Sequence, residues 1–255
     1  MKRVLVFQHI AIEHPGIFRS FMAADGITWD AVELDEGERI PALDPYDTLI
    51  VMGGPMDVFD EEQYPWLVEE KRAIREWVAL RRRPYLGLCL GHQLLADALG
   101  GKVERMTTPE VGMLRVETTE AARTDALFKG LGPMLDCLQW HGCEVTGLPK
   151  DATVLARSPA CAVQAFRVGA NAYGLQYHVE LTSSTVADWG AVPIYTESLE
   201  KSCGRGALGK LDADARALMP ALAANARRLY DNFKALAVAG APAGHRRRVA
   251  SEPDI

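Results

Sequence analysis

Long hydrophobic runs are missing from this sequence: no apolar stretch approaches the roughly 20 residues that a membrane-crossing helix needs. No membrane partner is therefore expected. Excess basic charge is missing too. The 28 Lys and Arg against 34 Asp and Glu leave a formal charge of −6, whereas a broad nucleic-acid surface needs a basic stripe. No nucleic-acid partner is expected. Cysteine is scarce and odd in number, five in 255 residues, and no secretory signal accompanies it. The charged and apolar start, Met1 to Ile10, is interrupted by Gln8, His9 and Glu13 and fits a first buried strand better than a leader. Reduced thiols in a cytoplasm are the simplest setting. No Gly-x-x-x-x-Gly-Lys-Ser/Thr loop and no Ser-Gly-Gly-x-Asp-Ser loop occurs, so no ATP-using half is expected within the chain.

What remains is an ordinary globular composition, 48% hydrophobic and 24% charged, with enough length for one sizeable core. Strand-like and helix-like stretches alternate, which predicts an α/β fold, a doubly wound, mostly parallel open sheet with helices on both faces. Strands are expected at 3–8, 28–34, 48–52 and 85–88, with helices at 15–24, 65–82 and after residue 89. Leu67, Ala73, Ile74, Trp77 and Val78 give the second helix its apolar face. Strand character at 111–118, 134–140, 152–157, 162–168 and 172–179 adds antiparallel structure. From about 183 the pattern turns helical, ending in an Ala-rich segment from Asp212 to about Leu236. Residues 1–236 are expected to form a single domain. Residues 237–255, with the basic run His245 to Arg248, read as a disordered, solvated tail.

Residues 86–93, Leu-Gly-Leu-Cys-Leu-Gly-His-Gln, carry the strongest chemical signal. Cys89 falls between a short apolar strand and the helical run Leu94, Leu95, Ala98 and Leu99, with Gly87 and Gly91 two residues to either side. That pattern reads as a nucleophile elbow, in which glycines relieve crowding around a strained turn. It is expected to expose the sulfur at a helix N-terminus, where a thiolate is favoured. A merely structural cysteine would need neither the glycines nor the junction.

A thiol nucleophile needs a base. In Gly174-Leu-Gln-Tyr-His-Val-Glu-Leu, strand alternation would put His178 and Glu180 on one face, the carboxylate orienting the imidazole. Upstream, Leu49-Ile-Val-Met-Gly-Gly-Pro ends an apolar strand in a turn whose backbone amides are free to hold a developing oxyanion.

These three elements, in this order, resemble the class I glutamine amidotransferase family, across most of residues 2–190 and with similar motif spacing. The resemblance is greatest to the standalone branch similar to the glutaminase domain of GMP synthase. It implies a flavodoxin-like fold, with Cys89 as nucleophile, His178 as base and Glu180 as its orienter. It also implies an oxyanion hole from the main-chain amides of Gly54 and Leu90, and substrate contacts from Gln93, Trp140, His141, Gly142 and Cys143. Neither a metal nor a cofactor is implied. Two positions depart from the family pattern: Val179 replaces the proline between His and Glu, and Cys143 stands where relatives often carry Asp.

The implied reaction is hydrolysis of the glutamine side-chain amide through a γ-glutamyl thioester, with ammonia released or passed to an acceptor or a separate synthetase. One alternative is a γ-glutamyl peptidase or hydrolase acting on larger γ-glutamyl amides; another is a non-catalytic binding or regulatory protein on the same fold. Asp57, Asp60, Glu61 and Glu62 are placed near the mouth of the site. His9 and His14 follow the first strand, with capping and solvent contact as their expected roles. A zinc site from Cys89, His92, His141 and Cys143 fits no paired-ligand spacing.

Overall fold

The strand alternation of the first half builds a parallel sheet whose two faces are both covered. The computed structural model describes residues 1–239. Within them β1 (Arg3–Gln8), β2 (Thr28–Glu33), β3 (Thr48–Val51), β4 (Tyr85–Leu88) and β9 (Ala172–Leu175) lie side by side in the order β2-β1-β3-β4-β9, all parallel. Side chains two apart share a face. Val4 and Val6 therefore pack under α1 (Phe18–Ala24) and the C-terminal helix α6 (Ala207–Ala239), through Phe18, Met22, Leu229 and Phe233. Leu5 and Phe7 pack under α2 (Trp66–Arg75) and α3 (Leu90–Ala98), through Leu67, Ile74, Leu94 and Leu95. The expected apolar face of the second helix is buried, although its last turn, Glu76–Leu80, widens to a π-helical turn before Pro84.

The second half extends the sheet with antiparallel strands. These are β5 (Lys102–Thr118), β6 (Met134–Gly147), β7 (Ala152–Arg157) and β8 (Ala165–Val168), giving the nine-stranded order β2-β1-β3-β4-β9-β8-β7-β5-β6 among the described residues. β5 and β6 are longer than expected from sequence, because polar residues such as Glu104 and Thr146 continue a bulged ladder that apolar alternation does not reveal. The short helix α4 (Thr185–Trp189), α5 (Pro193–Cys203) and the first half of α6 make a third apolar cluster with Val111, Leu138 and Trp140.

The last helix starts five residues before Asp212, passes through Pro220 and reaches Ala239. Residues 237–239 thus belong to the helix, their apolar Ala237 packing inward. Residues 240–255, including the basic run, lie outside the described residues. Among those described, no helix is long and apolar enough to cross a membrane.

Topology locates the site. From β1 the chain crosses one face through α1, and from β3 it crosses the other through α2, so loops diverge at the carboxyl ends of β1 and β3. A crevice opens where the winding reverses. The loops after β1, β3, β4 and β9 all end there.

Candidate active site

The elbow is tight, and its glycines show why. A Cβ on Gly87 would lie 2.3 Å from the carbonyl oxygen of Gly91, and one on Gly91 would lie 2.2 Å from that of Val51. Both contacts are too close for any side chain, so α3 can pack onto β3 and β4 only with glycine at these positions. Cys89 adopts φ 50° and ψ −102°, a conformation that costs an L-residue roughly 1–3 kcal/mol and often marks functional sites. Its amide donates to Leu175 O at 2.8 Å, and the Gly91 amide to Met52 O at 3.1 Å. The turn is thereby tied to both neighbouring strands.

The sulfur is not exposed as the sequence suggested: Cys89 is 6% accessible, because α5 and the Trp140 strand roof over the elbow. Trp140 O lies 4.0 Å from Sγ and the Gln176 side-chain amide 3.7 Å. Burial pushes the Cys89 thiol up, opposed by the charge and hydrogen bond of His178. The imidazole is thus the neighbouring side chain that favours the thiolate.

His178 pairs with Glu180, Nδ1 to Oε1 at 2.8 Å, and both are buried. Their backbone differs from expectation. Strand β9 ends at Leu175, and the chain then leaves the ladder. The Gln176 amide turns to Gln164 O, and that of His178 bridges across to Leu138 O at 2.9 Å. Val179 compensates for the absent proline in a way proline could not. Its amide donates to Glu180 Oε2 at 2.9 Å, fixing the carboxylate that fixes the imidazole. Trp189 closes the other side of His178 edge-on, with ring centroids 4.6 Å apart. Burial disfavours charge on His178, but the Glu180 carboxylate and Cys89 outweigh it and hold its pKa well above the ordinary value.

The Gly-Gly-Pro loop lies against this pair. Among the described residues neither the Gly54 nor the Leu90 amide donates to a protein acceptor, and both residues line the same small cleft as Cys89. The loop is held from below by His9, whose capping role was misjudged from sequence. His9 is fully buried. Its Nδ1 contacts Gly53 O at 2.8 Å, its Nε2 contacts Glu70 Oε1 at 2.9 Å, and Trp66 stacks on the ring. A carbonyl and a carboxylate both accept, so the two contacts suit an imidazolium that donates from both ring nitrogens. Burial opposes that charge, Glu70 and Gly53 favour it, and the net pKa is raised. His14 instead sits beside Arg19, 3.0 Å from its guanidinium.

The cleft, about 120 Å³, is lined by Gln93, Trp140, His141, Gly142 and Cys143 as the sequence placed them, and by Tyr195 of α5. Of the acidic run only Asp57 lines it. Asp60 accepts from the Asp57 amide, and Glu61 pairs with Lys71. Asp57 is held by the Cys143 thiol at 3.1 Å and by Arg105 at 2.8 Å. Gln93 donates to Cys143 O at 3.2 Å and to Gln176 Oε1 at 3.0 Å, so Gln176 joins the cleft floor to the sulfur. His141 Nδ1 contacts Cys143 O at 2.8 Å, and its Nε2 lies 3.3 Å from Glu110. Gln164 and Ser158 also donate to Glu110. His92, buried under Phe166, is pushed down to about 3 by desolvation and stays neutral. Among the described residues no three metal-ligating side chains cluster. Sequence reasoning missed Glu13, Gln176, Tyr195 and Glu110, all brought in by long-range contacts.

The arrangement suits acyl transfer: a sulfur on a strained turn, an imidazole held by a carboxylate, and two unengaged amides. Known proteins carry the same frame. The sequence profile described as "Glutamine amidotransferase class-I" matches residues 17–188. The glutamine amidotransferase-like protein YfeJ of Salmonella typhimurium is 33% identical, over 72% of this chain and 78% of its own length. A glutamine-hydrolyzing GMP synthase chain of Sulfurisphaera tokodaii is 35% identical, over 60% and 77%. Gamma-glutamyl peptidase 3 of Arabidopsis thaliana is 28% identical, over 64% and 67%. The crystal structure of a glutamine amidotransferase from Thermotoga maritima superimposes with a TM-score of 0.82 at 29% identity, over 92% of this chain and 98% of that one. The chain belongs to the class I glutamine amidotransferase family.

Proposed function

We propose that the protein cleaves the γ-amide of glutamine, or of another γ-glutamyl compound, through a thioester on Cys89. The carrying observation is the buried His178–Glu180 pair that acts on the Cys89 thiol, in a cleft that Cys89 lines together with Gly54 and Leu90, whose amides have no protein acceptor among the described residues. The thiol proton passes to His178, whose imidazolium Glu180 stabilises, and Sγ attacks the carboxamide carbon while the two amides hold the tetrahedral oxyanion. The C–N bond then breaks, His178 protonates the departing nitrogen, and the γ-glutamyl group remains on sulfur. A water that has lost its proton to the same imidazole releases glutamate and restores the thiol. Acyl transfer from nitrogen to sulfur to water balances without a redox step.

The amino-acid end of the substrate lies along Trp140 to Cys143, with Gln93 beneath it and Asp57 accepting the ammonium. The GMP synthase relatives support a reading in which ammonia passes to a separate synthetase chain. A second reading, γ-glutamyl peptidase activity, is favoured by the rim. Ile194 is exposed on α5 and Arg105 is exposed beside Asp57, leaving room and a cation for a leaving group that carries its own carboxylate.

Steady-state kinetics on glutamine and a panel of γ-glutamyl dipeptides separates the two. The isolated protein is expected to hydrolyse glutamine weakly and at least one γ-glutamyl amide faster. Cleavage of glutamine alone, and only after a second protein from extract is added, would replace this preference with the synthetase-dependent reading.

A further inference from the structure

Glu13 is the buried carboxylate that the mechanism above leaves unused. It lies on the loop after β1, 3% accessible. Oε1 accepts the hydroxyl of Tyr195, which reaches it from α5 across 182 positions of sequence. Oε2 has no hydrogen-bond partner among the described residues. Gly53 shows where that oxygen points, since a Cβ there would sit 1.8 Å from Glu13 Oε2 and 3.1 Å from His178 Cε1. The absent side chain is thus what lets the carboxylate approach the edge of the imidazole. Glu180 takes Nδ1, Trp189 packs edge-on against the ring, and Glu13 stands near Cε1.

We propose that Glu13 is a second positioning carboxylate for His178, holding the imidazole in its proton-bearing form beside Cys89, and that Tyr195 anchors Glu13 from the helix that also walls the cleft. The proposal rests on the assignment of Cys89 and His178 as the reacting pair. The charged and titratable groups around Glu13 are His9 on its own loop, backed by Glu70 of α2, Cys89 at the elbow, His178 and Glu180 after β9, and Tyr195 of α5. Burial raises the pKa of Glu13, and the charge of His178 with the Tyr195 hydrogen bond pulls it back. The Tyr195 hydroxyl donates to Oε1, and the His178 ring edge beside Oε2 favours the ionised carboxylate against the push of burial.

An anion beside the Cys89–His178 pair resists the loss of any proton from it, whichever partner gives the proton up. Removing the anion therefore lowers both macroscopic midpoints of the pair. The test is the pH dependence of Cys89 alkylation by iodoacetamide, followed by mass mapping, which needs no substrate and so stands or falls separately from the assigned reaction. Glu13→Gln is expected to move the midpoint down by about one pH unit, and both limbs of the kcat/KM profile with it. Glu13→Asp, which keeps the charge, should stay close to wild type. If the glutamine variant does not fold, Glu13→Leu carries the same expectation. A folded neutral variant with an unmoved midpoint, even one alkylated more slowly at every pH, would overturn the proposal and leave Glu13 a structural residue.

Discussion

Replacing His178 with Asn slows thioester formation about 10²–10⁴-fold, the range lost when a positioned general base is removed. Asn fits the space and keeps a polar atom near Glu180, so packing changes little. The Leu138–His178 backbone bridge does not depend on the side chain. What disappears is the group proposed to take the thiol proton and return it to the leaving nitrogen. Without it the push of burial on the Cys89 thiol goes unopposed. Glu180→Gln is expected to cost less, because it weakens the imidazolium without removing the proton acceptor. Rapid-mixing kinetics with acid quench measures the acylation step. A His178→Asn variant with near-normal acylation would refute the base assignment.

Replacing Glu70 with Gln is expected to destabilise the fold by about 3 kcal/mol at pH 6, as breaking one side of a buried pair does. Both members of the pair are fully buried. The effect depends on pH with a definite sign. His9 is raised in the folded state, so the stability its proton contributes is complete below the unfolded value of about 6.5 and is lost as pH rises through the folded value. Urea unfolding of wild type and Glu70→Gln between pH 6 and 9 should show a stability gap that narrows with pH. Because His9 also holds Gly53, turnover should fall along with it. A gap that widens with pH would mean that His9 is neutral in the folded protein.

The elbow was legible because its constraints are local. Gly87 and Gly91 must be small to let α3 meet β3 and β4, and that need is written within a few residues of Cys89. The pairing of His178 with Glu180 was also legible, although for a different reason than strand alternation, since the chain has left the ladder there and a Val179 amide fixes the carboxylate. The parallel half of the sheet follows from apolar runs buried on both faces, whereas the bulged polar ends of β5 and β6 do not show in such a pattern.

Burial at the site was not legible. Whether a cysteine at a turn is open or roofed depends on where α5 and the Trp140 strand come to rest. Likewise nothing near Glu13 signals Tyr195, and nothing near His9 signals Glu70. The expectation of solvent for His9 failed because its partner lies 61 positions away on another element.

In the proposed reaction one buried thiol, selected by geometry rather than by exposure, is the nucleophile. Cys203 is the exposed cysteine, whereas Cys137, Cys143 and Cys161 are buried like Cys89, and burial pushes those three thiols up without a histidine to oppose it. Brief labelling with a chloroketone analogue of glutamine, followed by peptide mass mapping, reads out the competition directly. Label is expected on Cys89 many times faster than on the other four, abolished by excess substrate. Label spread over several cysteines, or concentrated on Cys203, would contradict it.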